Sequence, residues 1–295
     1  MNSVYIEITD ACNLHCSFCP SSTLGEQRHF MDEAVFEKCL NDIQGIADSV
    51  YFHVLGEPLL HPHFIDFTNK LKSRNLQLNL TTNGILLHKF DDVLLNCGAL
   101  RQINVSTHAY AELPFETAAK HLETVLNFAE SALEKRPELY INLRLWNVGD
   151  ASSSAWNAYV LEAIEKRFGT RLELGNFCSR HKSFIVRGRL YVHQDSRFEW
   201  PETTTHISPN CATSRQPIIK GTCRALDTHV GILYDGRVVA CCLDYSGQIT
   251  LGNIQKQSLQ QILESPLATN LREGFANHEL RHPFCQKCGF CKRFK

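Results

Sequence analysis

The sequence has no long hydrophobic run, and this argues against a membrane-spanning helix. No apolar stretch in its 295 residues approaches the ~18 residues that a membrane span requires. Charge of one sign is also scarce, because 30 Lys and Arg residues face 31 Asp and Glu residues, for a formal net charge of −1. This balance gives no electrostatic basis for binding nucleic acid. We therefore expect neither a membrane nor a nucleic acid as a partner.

A secretory signal is also missing. Met1 leads directly into a strand-like segment, without the charged and apolar regions of a signal peptide. The 13 cysteines are an odd number and occur in short C-x2-C-type groups. In an intracellular chain such groups indicate metal binding rather than disulfides. We therefore expect a protein of the reducing cytoplasm.

Three cysteines near the N-terminus form the most distinctive motif. Cys12, Cys16 and Cys19 lie within eight residues, at spacings C-x3-C-x2-C. Thiolate is the ligand that iron–sulfur clusters and zinc select. A four-iron cluster needs one thiolate per iron, so three leave one iron with the open coordination sites that a catalytic metal requires. One alternative is a disulfide. Another is a zinc site that takes its fourth ligand from outside the three cysteines, and His15 lies inside the same loop.

Strand-like and helix-like patterns alternate over the first part of the chain. Runs rich in β-branched and aromatic residues predict six strands, at 4–9, 49–54, 76–81, 103–106, 140–146 and 171–175. Apolar residues at three- and four-residue spacing predict five helices between them, at 31–47, 64–74, 85–96, 115–133 and 155–168. Repeated units of this kind favour a parallel sheet with right-handed crossovers. Ligands of parallel-strand barrels bind at the carboxyl ends of the strands.

Five residues lie at or near these strand ends. Gly56 and Glu57 follow the second strand, Asn83 follows the third, Ser106 ends the fourth, and Arg144 lies inside the fifth. Together with the cysteine motif after the first strand, they indicate one ligand site. Two of these residues also have an interpretation without a ligand. Asn83 and the glycine after it are typical of an ordinary turn. Arg144, in an alternating strand, faces solvent, a partner or a site.

Four further cysteines stand apart from the motifs. Cys39 lies on the apolar stripe of the first helix and is expected to be a core thiol. Cys97, beside a helix cap, is expected to be structural. Cys178 follows the sixth strand and is either a packed thiol or a hydrogen donor, which makes it a weak catalytic candidate. Cys211 has no assignment.

The C-terminal part contains a second group of cysteines. Asp235-Gly236 between two alternating runs predicts a β-hairpin over 230–241, and a helix is predicted at 258–275. Adjacent strand residues point to opposite faces, so only one of Cys241 and Cys242 is expected to bind metal. A zinc ribbon is the alternative to an iron–sulfur cluster here. The thiols that the hairpin and the tail are expected to bring together are Cys223, Cys241, Cys285, Cys288 and Cys291.

The N-terminal motif resembles the signature of the radical S-adenosylmethionine (SAM) enzymes, including Phe18 before and Pro20 after the third cysteine. In that family the open iron of a [4Fe–4S] cluster binds the amino and carboxylate groups of SAM. An electron from the cluster then cleaves SAM to methionine and a 5′-deoxyadenosyl radical, which abstracts a hydrogen atom from the substrate. The resemblance covers residues 1–180 and implies an open partial (β/α)6 TIM-like barrel.

The resemblance also implies which residues contact SAM. The segment 56–58, Gly-Glu-Pro, resembles the family's GGEP-type motif, which holds the SAM amino group, with Leu55 in place of the first glycine. Ser106 resembles the residue that contacts the ribose, and a guanidinium such as that of Arg144 can hold the SAM carboxylate in a two-pronged geometry. The residues expected to bind SAM are Gly56, Glu57, Asn83, Ser106 and Arg144.

The C-terminal pattern resembles the SPASM/twitch extension of radical SAM enzymes, through the Gly-x4-Cys spacing that ends at Cys241 and the Leu-Gly-Asn-Ile step at 251–254. Cys291 lies four residues before the end of the sequence, which leaves no room for the later cysteines of a full SPASM domain. We therefore expect two [4Fe–4S] clusters in all, of which one is auxiliary. Its predicted ligands are Cys223, Cys241, Cys285 and Cys288, with Cys291 as a substitute for one of the last two.

The resemblance implies an oxidoreductase or modifying enzyme that receives electrons from an external donor such as flavodoxin or ferredoxin. We expect the substrate to be a peptide or protein side chain, although the sequence shows no N-terminal peptide-recognition domain. The alternative substrate is a small alcohol such as an aminocyclitol. An alternative of another class is a non-catalytic iron–sulfur or zinc protein for electron transfer or assembly.

The expected domains are a radical SAM core at 1–180, a linker at 181–217 that forms a wall of the substrate site, and a small cysteine-rich domain of a β-hairpin plus a helix at 218–295. Within the linker, residues 190–193 are expected to form one short strand. The patterns identify no definite catalytic acid or base. Asp244, just after the cysteine pair, is a weak candidate, and the alternative for it is a surface aspartate.

Overall fold

The computed structural model describes residues 1–22, 28–172, 182–197, 200–201 and 217–294. They belong to two compact units, one comprising Met1–Gly56 and Phe198–Lys295 and the other Glu57–Arg197. The strands of the described residues are β1 (Ser3–Ile6), β2 (Ser49–Phe52), β3 (Gln77–Thr82), β4 (Leu100–Val105), β5 (Tyr140–Leu145), β6 (Ser183–Arg187), β7 (Leu190–Gln194), β8 (His229–Ile232), β9 (Arg237–Val239) and β10 (Thr250–Asn253). Their α-helices are α1 (Glu33–Ile43), α2 (Phe64–Ser73), α3 (Leu87–Asn96), α4 (Phe115–Lys135), α5 (Ser154–Phe168), α6 (Leu259–Leu263), α7 (Pro266–Ala276) and α8 (Pro283–Lys287).

The first unit is organised around β1, which pairs in parallel with β2 on one side and with β8 on the other. Ile6 at the end of β1 lies opposite both Phe52 and Ile232, so the carboxyl ends of the three strands meet at one edge. The strands β9 and β10 continue the sheet in antiparallel fashion. The hairpin predicted at Asp235-Gly236 is therefore confirmed, and it places the C-terminal strands directly beside the first strand of the chain.

The second unit contains the remaining strands of the alternating pattern. The strands β3, β4, β5 and β7 are parallel and lie in that order, and β6 pairs antiparallel with β7. Helices α3 and α4 connect consecutive parallel strands, as the sequence pattern predicts. The predicted alternation of strands and helices is confirmed in this unit.

Among the described residues, the parallel set includes a strand beyond the predicted one at 171–175. Arg171 and Leu172 are outside any strand, and residues 173–175 lie outside the described ranges. The strand that pairs in parallel with β5 is β7, in the segment expected to be a linker with one short strand. Leu190 and Val192 are fully buried on one side of β7, so its alternating pattern fits a half-buried strand. Residues 182–197 thus contribute a hairpin to the second unit.

The helix predicted at 258–275 is two helices, and a proline explains the break. Pro266 lacks the backbone N–H that a continuous helix needs, and it occupies the first turn of α7, where this loss has no cost. The Ser265 side chain caps α7 by accepting a hydrogen bond from the Ala268 backbone N–H. Ser258 and Gln261 form a reciprocal capping box at the start of α6.

Two further sequence-based expectations concern burial. Cys39 in α1 is fully buried, which confirms it as a core thiol, and burial raises the pKa of this thiol far above its ordinary range. It therefore stays a neutral packing group. In the described part of the chain, no helix combines the length and the hydropathy that crossing a bilayer would take.

Two glycines of the first unit share a positive φ angle but have different surroundings. Gly56 follows β2 with φ +75°, and Gly45 follows α1 with φ +79°. A Cβ atom at Gly56 would lie 2.9 Å from the carbonyl oxygen of Ala11 and still closer to that of Thr9. A Cβ atom at Gly45 would meet nothing within 4 Å. The turn at Gly56 therefore packs directly on the chain that leads from β1 to the cysteine motif.

We expect Gly56→Ala to destabilise the protein more than the matched variant Gly45→Ala. A left-handed conformation costs about 1–2 kcal/mol for a residue with a Cβ atom, and this cost applies to both variants. Overpacking adds about 1–3 kcal/mol at Gly56 alone. Urea titration of the two variants measures the difference in the free energy of unfolding. Equal losses would contradict the close approach of this turn to Ala11.

Candidate cofactor site

The two ends of the cysteine loop, residues 11–28, are joined at the end of β1. The Asp10 carboxylate accepts two hydrogen bonds from His29, one from the backbone N and one from ring Nδ1, each at 2.7 Å. The Thr9 hydroxyl donates to the His29 carbonyl at 2.6 Å, and Thr9 forms an antiparallel bridge with Phe30. These bonds close the base of the loop, of which residues 23–27 lie outside the described ranges.

The three thiols of this loop are partly accessible. The Cys19 backbone N–H donates to the Cys16 carbonyl at 3.0 Å, which turns the chain between these two residues. The Leu14 backbone N lies 3.5 Å from Cys12 Sγ, and Ser21 Oγ lies 3.1 Å from Cys19 Sγ. Hydrogen bonds to sulfur tune the potential of an iron–sulfur cluster. The chemistry of these donors therefore fits a cluster held by the loop.

Glu57 is only 1% exposed, and its carboxylate contacts the turn that follows β3. One carboxylate oxygen accepts hydrogen bonds from the Thr82 hydroxyl at 2.8 Å and from the Leu59 backbone N at 3.1 Å. The other accepts the Asn83 backbone N–H at 2.6 Å. Burial raises the pKa of Glu57 to about 7, although these three hydrogen bonds oppose the shift. Both carboxylate oxygens of Glu57 therefore accept hydrogen bonds from nearby residues of the protein itself.

The turn after β3 also holds the start of the segment after β4. Asn83 is buried, and its side-chain oxygen accepts the Ile85 backbone N–H at 3.0 Å. The Tyr110 hydroxyl donates to the Asn83 carbonyl, and the Ser106 backbone N–H donates to the Thr82 carbonyl at 2.9 Å. Asn83 and Ser106, predicted to lie at neighbouring strand ends, are therefore brought together by a shared set of backbone contacts.

Arg144 lies in a polar and aromatic group at the ends of β4, β5 and β7. Its guanidinium stacks on the ring of Trp146, with 4.3 Å between the guanidinium carbon and the ring centroid. The Trp146 indole N–H donates to His193 Nδ1 at 2.7 Å. The Arg144 carbonyl accepts hydrogen bonds from the Thr107 hydroxyl at 2.8 Å and from His108 Nδ1 at 3.1 Å.

Three members of this group, His108, Trp146 and His193, are not among the site residues that the sequence predicts. Burial lowers the pKa of His108 and of His193 to about 4, with the positive charge of Arg144 as a further cause, so both rings are neutral at pH 7. Their Nδ1 atoms have opposite roles, because that of His108 donates and that of His193 accepts. The signals in the sequence are that Trp146 and His193 each end an expected strand and that His108 lies two residues after another.

The C-terminal cysteines come together in the first unit. Burial raises the pKa of every thiol in this group, to about 11 for Cys288, and neighbouring thiols contribute to several of these shifts. Cys241 is influenced by Cys223 and Cys285, and Cys285 by Cys223 and Cys288. Close, buried thiols are unfavourable as thiolates unless a metal compensates their charge. The group therefore fits an iron–sulfur cluster or zinc through its donor chemistry.

Cys241 and Cys242 lie after the end of β9 at Val239, so strand alternation does not apply to them, and the expectation that only one of the two binds metal stays a prediction. Cys242 packs against an apolar cluster made of Val54, Leu55, Leu233 and Val239, and Cys19 packs against the same cluster. The thiols that raise the pKa of Cys241 are Cys242, Cys223 and Cys285.

Asp244 is fully buried, so the expectation of a surface aspartate is wrong. Its two carboxylate oxygens accept the backbone N–H groups of Gln248 and Ile249, at 2.8 and 2.7 Å. A carboxylate is cheap to bury when it closes a turn in this way, and the sequence pattern carries no sign of such a contact. These contacts assign Asp244 to the loop between β9 and β10.

Two other predicted residues have no described surroundings, because Cys178 and Cys211 lie outside the described ranges. Among the described residues, no three His, Cys, Asp or Glu side chains already have an arrangement that could hold a metal ion. The fit of both cysteine groups to iron–sulfur clusters therefore rests on their donor types and on the loop and hairpin that carry them.

Comparison with known proteins identifies two regions of the chain. Residues 6–143 match the Radical SAM superfamily, and residues 223–291 match SPASM, an iron–sulfur cluster-binding domain. A tungsten-containing aldehyde ferredoxin oxidoreductase cofactor-modifying protein of Pyrococcus furiosus is 37% identical over 89 residues. That match covers 30% of this chain and only 25% of the relative, so it relates a part of each protein.

Two solved structures show the same fold over nearly the whole chain. BtrN in complex with AdoMet and 2-DOIA superposes with a TM-score of 0.55 at 15% identity, covering 98% of this chain and 93% of BtrN. AnSMEcpe with bound AdoMet and Cp18Cys peptide superposes with a TM-score of 0.57 at 17% identity, covering 98% and 87%. The predicted fold class, an open partial (β/α)6 TIM-like barrel followed by a small cysteine-rich domain, is confirmed. The chain therefore belongs to the radical SAM superfamily, carries a SPASM-type domain, and has SAM and [4Fe–4S] clusters as its cofactors.

Proposed function

We propose that this enzyme cleaves SAM reductively at a [4Fe–4S] cluster held by Cys12, Cys16 and Cys19, and oxidises or modifies a peptide or protein side chain. The observation that carries the proposal is the cysteine loop, whose three partly accessible thiols lie in a segment closed at its base by Asp10 and His29. When bound, the cluster and SAM supply a 5′-deoxyadenosyl radical that abstracts a hydrogen atom from the substrate.

The protein's part in this reaction is to bind and orient SAM. We assign the backbone at Gly56 to the amino group, Ser106 to the ribose and Arg144 to the carboxylate. Asn83, in the turn after β3, stays a predicted contact of SAM. For Glu57 we now favour an indirect role, because both of its carboxylate oxygens already accept hydrogen bonds from residues at 59–83.

Cys16→Ala is expected to abolish the formation of 5′-deoxyadenosine and to lower the iron content by about the four atoms of one [4Fe–4S] cluster. The matched control is Cys39→Ala, because Cys39 is a fully buried core thiol. The measurement is iron and sulfide analysis after anaerobic reconstitution, followed by a dithionite-driven SAM cleavage assay. Full turnover of the Cys16 variant, or zinc in place of iron in the wild type, would overturn the proposal.

We further propose one auxiliary [4Fe–4S] cluster, with Cys223, Cys241, Cys285 and Cys288 as its ligands and Cys291 as a substitute for one of the last two. The mutual influence of these thiols supports the assignment. When bound to these thiols, such a cluster would supply an acceptor for an electron from the substrate radical, a site that holds the substrate, or a part of the electron path. A flavodoxin or ferredoxin as the electron donor, and a cytoplasmic location, stay predictions.

Cys241→Ala and Cys242→Ala form a matched pair that tests the auxiliary cluster. We expect the Cys241 variant to lose about four irons per chain and the Cys242 variant to lose none, because Cys242 packs on the apolar cluster instead. Both variants are expected to keep the signal of the N-terminal cluster in electron paramagnetic resonance (EPR) spectra. Loss of iron from the Cys242 variant alone would reverse the assignment.

Two substrate classes compete. The peptide class is supported by the fold shared with anSMEcpe, which is solved with a Cp18Cys peptide. A small alcohol, such as an aminocyclitol, is the second candidate, and the fold shared with BtrN, solved with 2-DOIA, favours it.

Deuterium transfer separates the two classes. We expect deuterium to appear in 5′-deoxyadenosine when the enzyme turns over deuterated peptides, because the radical takes its hydrogen from the substrate. Deuterated aminocyclitols, supplied in parallel, are expected to give none. Mass spectrometry of the 5′-deoxyadenosine provides the readout, and transfer from the alcohols alone would establish the second candidate.

A further inference from the structure

Glu7 is a buried acid that the proposed reaction does not use. It follows β1 and is 2% exposed. One of its carboxyl oxygens accepts the Leu55 backbone N–H at 3.3 Å, and the other accepts the Tyr234 backbone N–H at 3.4 Å. Leu55 immediately precedes Gly56, and Tyr234 begins the turn of the C-terminal hairpin. A single side chain therefore joins three segments that are far apart in the sequence.

Burial decides which form of Glu7 predominates. The two backbone N–H bonds favour the ionised form, but they are long, at 3.3 and 3.4 Å, and they only partly oppose the effect of burial. Glu57 provides the comparison, since its oxygens accept three hydrogen bonds, at 2.6, 2.8 and 3.1 Å. Burial raises the pKa of Glu7 to about 8, so the neutral acid predominates at pH 7.

The surroundings of Glu7 favour the neutral acid further. The charged groups that face it are Asp10 on the cysteine-loop side and Asp235 in the hairpin turn, and both raise its pKa. Each aspartate has its own cation or imidazole partner, because Asp10 binds His29 and Asp235 binds Arg237 at 2.6 Å. An ionised Glu7 would add a third negative charge near these two, in a buried position, so ionisation favours a conformation in which the carboxylate leaves this position and its two backbone N–H partners.

The Tyr234 ring extends this junction to the cysteine loop. It stacks on the His29 ring with 4.4 Å between the ring centroids and 3° between their planes. The hairpin turn is thus held at its backbone by Glu7 and at its side chain by the residue that closes the cysteine loop. Both contacts lie within the first unit of the protein.

We propose that Glu7, in its neutral form, is a positioning residue that couples the Leu55–Gly56 backbone to the hairpin turn at Tyr234, so that its ionisation weakens SAM binding. The inference rests on the proposed function, in which the Gly56 backbone holds the amino group of SAM. It goes beyond that function by making the C-terminal hairpin part of the support of the SAM-binding turn.

The test compares the pH dependence of SAM binding in the wild type and in Glu7→Gln. The reconstituted holoenzyme is titrated with radiolabelled SAM by equilibrium dialysis from pH 6.5 to 9.5, values chosen to bracket the pKa of about 8. If binding requires the neutral acid, the dissociation constant of the wild type rises above pH 8 by up to about tenfold per pH unit. Gln cannot ionise, so this alkaline rise is expected to disappear in the variant.

Two controls isolate Glu7. Tyr234→Phe keeps the backbone N–H and the ring, so it is expected to retain the wild-type profile. Glu57, whose pKa is about 7, titrates in both the wild type and Glu7→Gln, so only the difference between the two profiles reports on Glu7. An unchanged alkaline rise in Glu7→Gln would overturn the proposal.

A second measurement needs no variant and no SAM. Hydrogen exchange of the wild type, corrected for intrinsic exchange rates, reports the protection of the Leu55 and Tyr234 amides. We expect protection of both amides to fall together through pH 8, while the amides of β1 keep theirs. If SAM cleavage fails at every pH but this coupled loss is seen, the proposed function is wrong and the coupling by Glu7 stands. If cleavage succeeds and protection is constant, only the coupling is wrong.

Discussion

The parallel pairing of β1 with both β2 and β8 is the constraint on which the first unit depends. Because parallel strands present their carboxyl ends at one edge, this pairing brings together three segments that leave the sheet there: the cysteine loop, the turn at Gly56 and the hairpin turn at Tyr234. The apolar cluster of Val54, Leu55, Leu233 and Val239 fills the same region, with Cys19 and Cys242 packed against it. The SPASM-type region is therefore built into the sheet that carries the N-terminal cysteines.

The two buried acids Glu57 and Glu7 differ in their hydrogen-bond donors and in the charges near them. Glu57 has three donors around it, whereas Glu7 has two long contacts and two aspartates nearby. Burial raises both pKa values above 4.5, to about 7 for Glu57 and about 8 for Glu7. The unfolded chain ionises first, so each neutral acid favours the folded state fully below pH 4.5, and this contribution is lost as the pH rises through the folded pKa. The short bonds to Glu57 offset part of its desolvation, which explains its smaller shift.

Much of this architecture follows from local sequence signals. Alternation predicts most strands, apolar periodicity predicts the helices of the barrel, and Asp235-Gly236 predicts the hairpin, because each signal depends only on neighbouring residues. Cys39 was separable from the metal-binding candidates for the same reason, since helix periodicity assigns it to the apolar face. The strand β7 was expected as a short strand of the linker and not as a member of the parallel set, because its pairing with β5 is a tertiary contact. Asp244 was misjudged because two backbone N–H groups, invisible in a pattern of side chains, make its burial favourable.

Contacts between distant parts of the chain are what a sequence pattern cannot supply. Glu7 and Tyr234 are 227 residues apart, and nothing near either residue predicts their bond. Trp146 and His193 are likewise joined only because β5 and β7 are neighbours, with Arg144 opposite His193 in the register. In both cases the order of the strands in the sheet brings the two residues together. Burial then shifts the pKa of the titratable partner, upward for Glu7 and downward for His193. The contact between the C-terminal hairpin and the Leu55–Gly56 turn is consequently made by Glu7, a buried acid at the end of β1, and not by a residue of the cysteine motif.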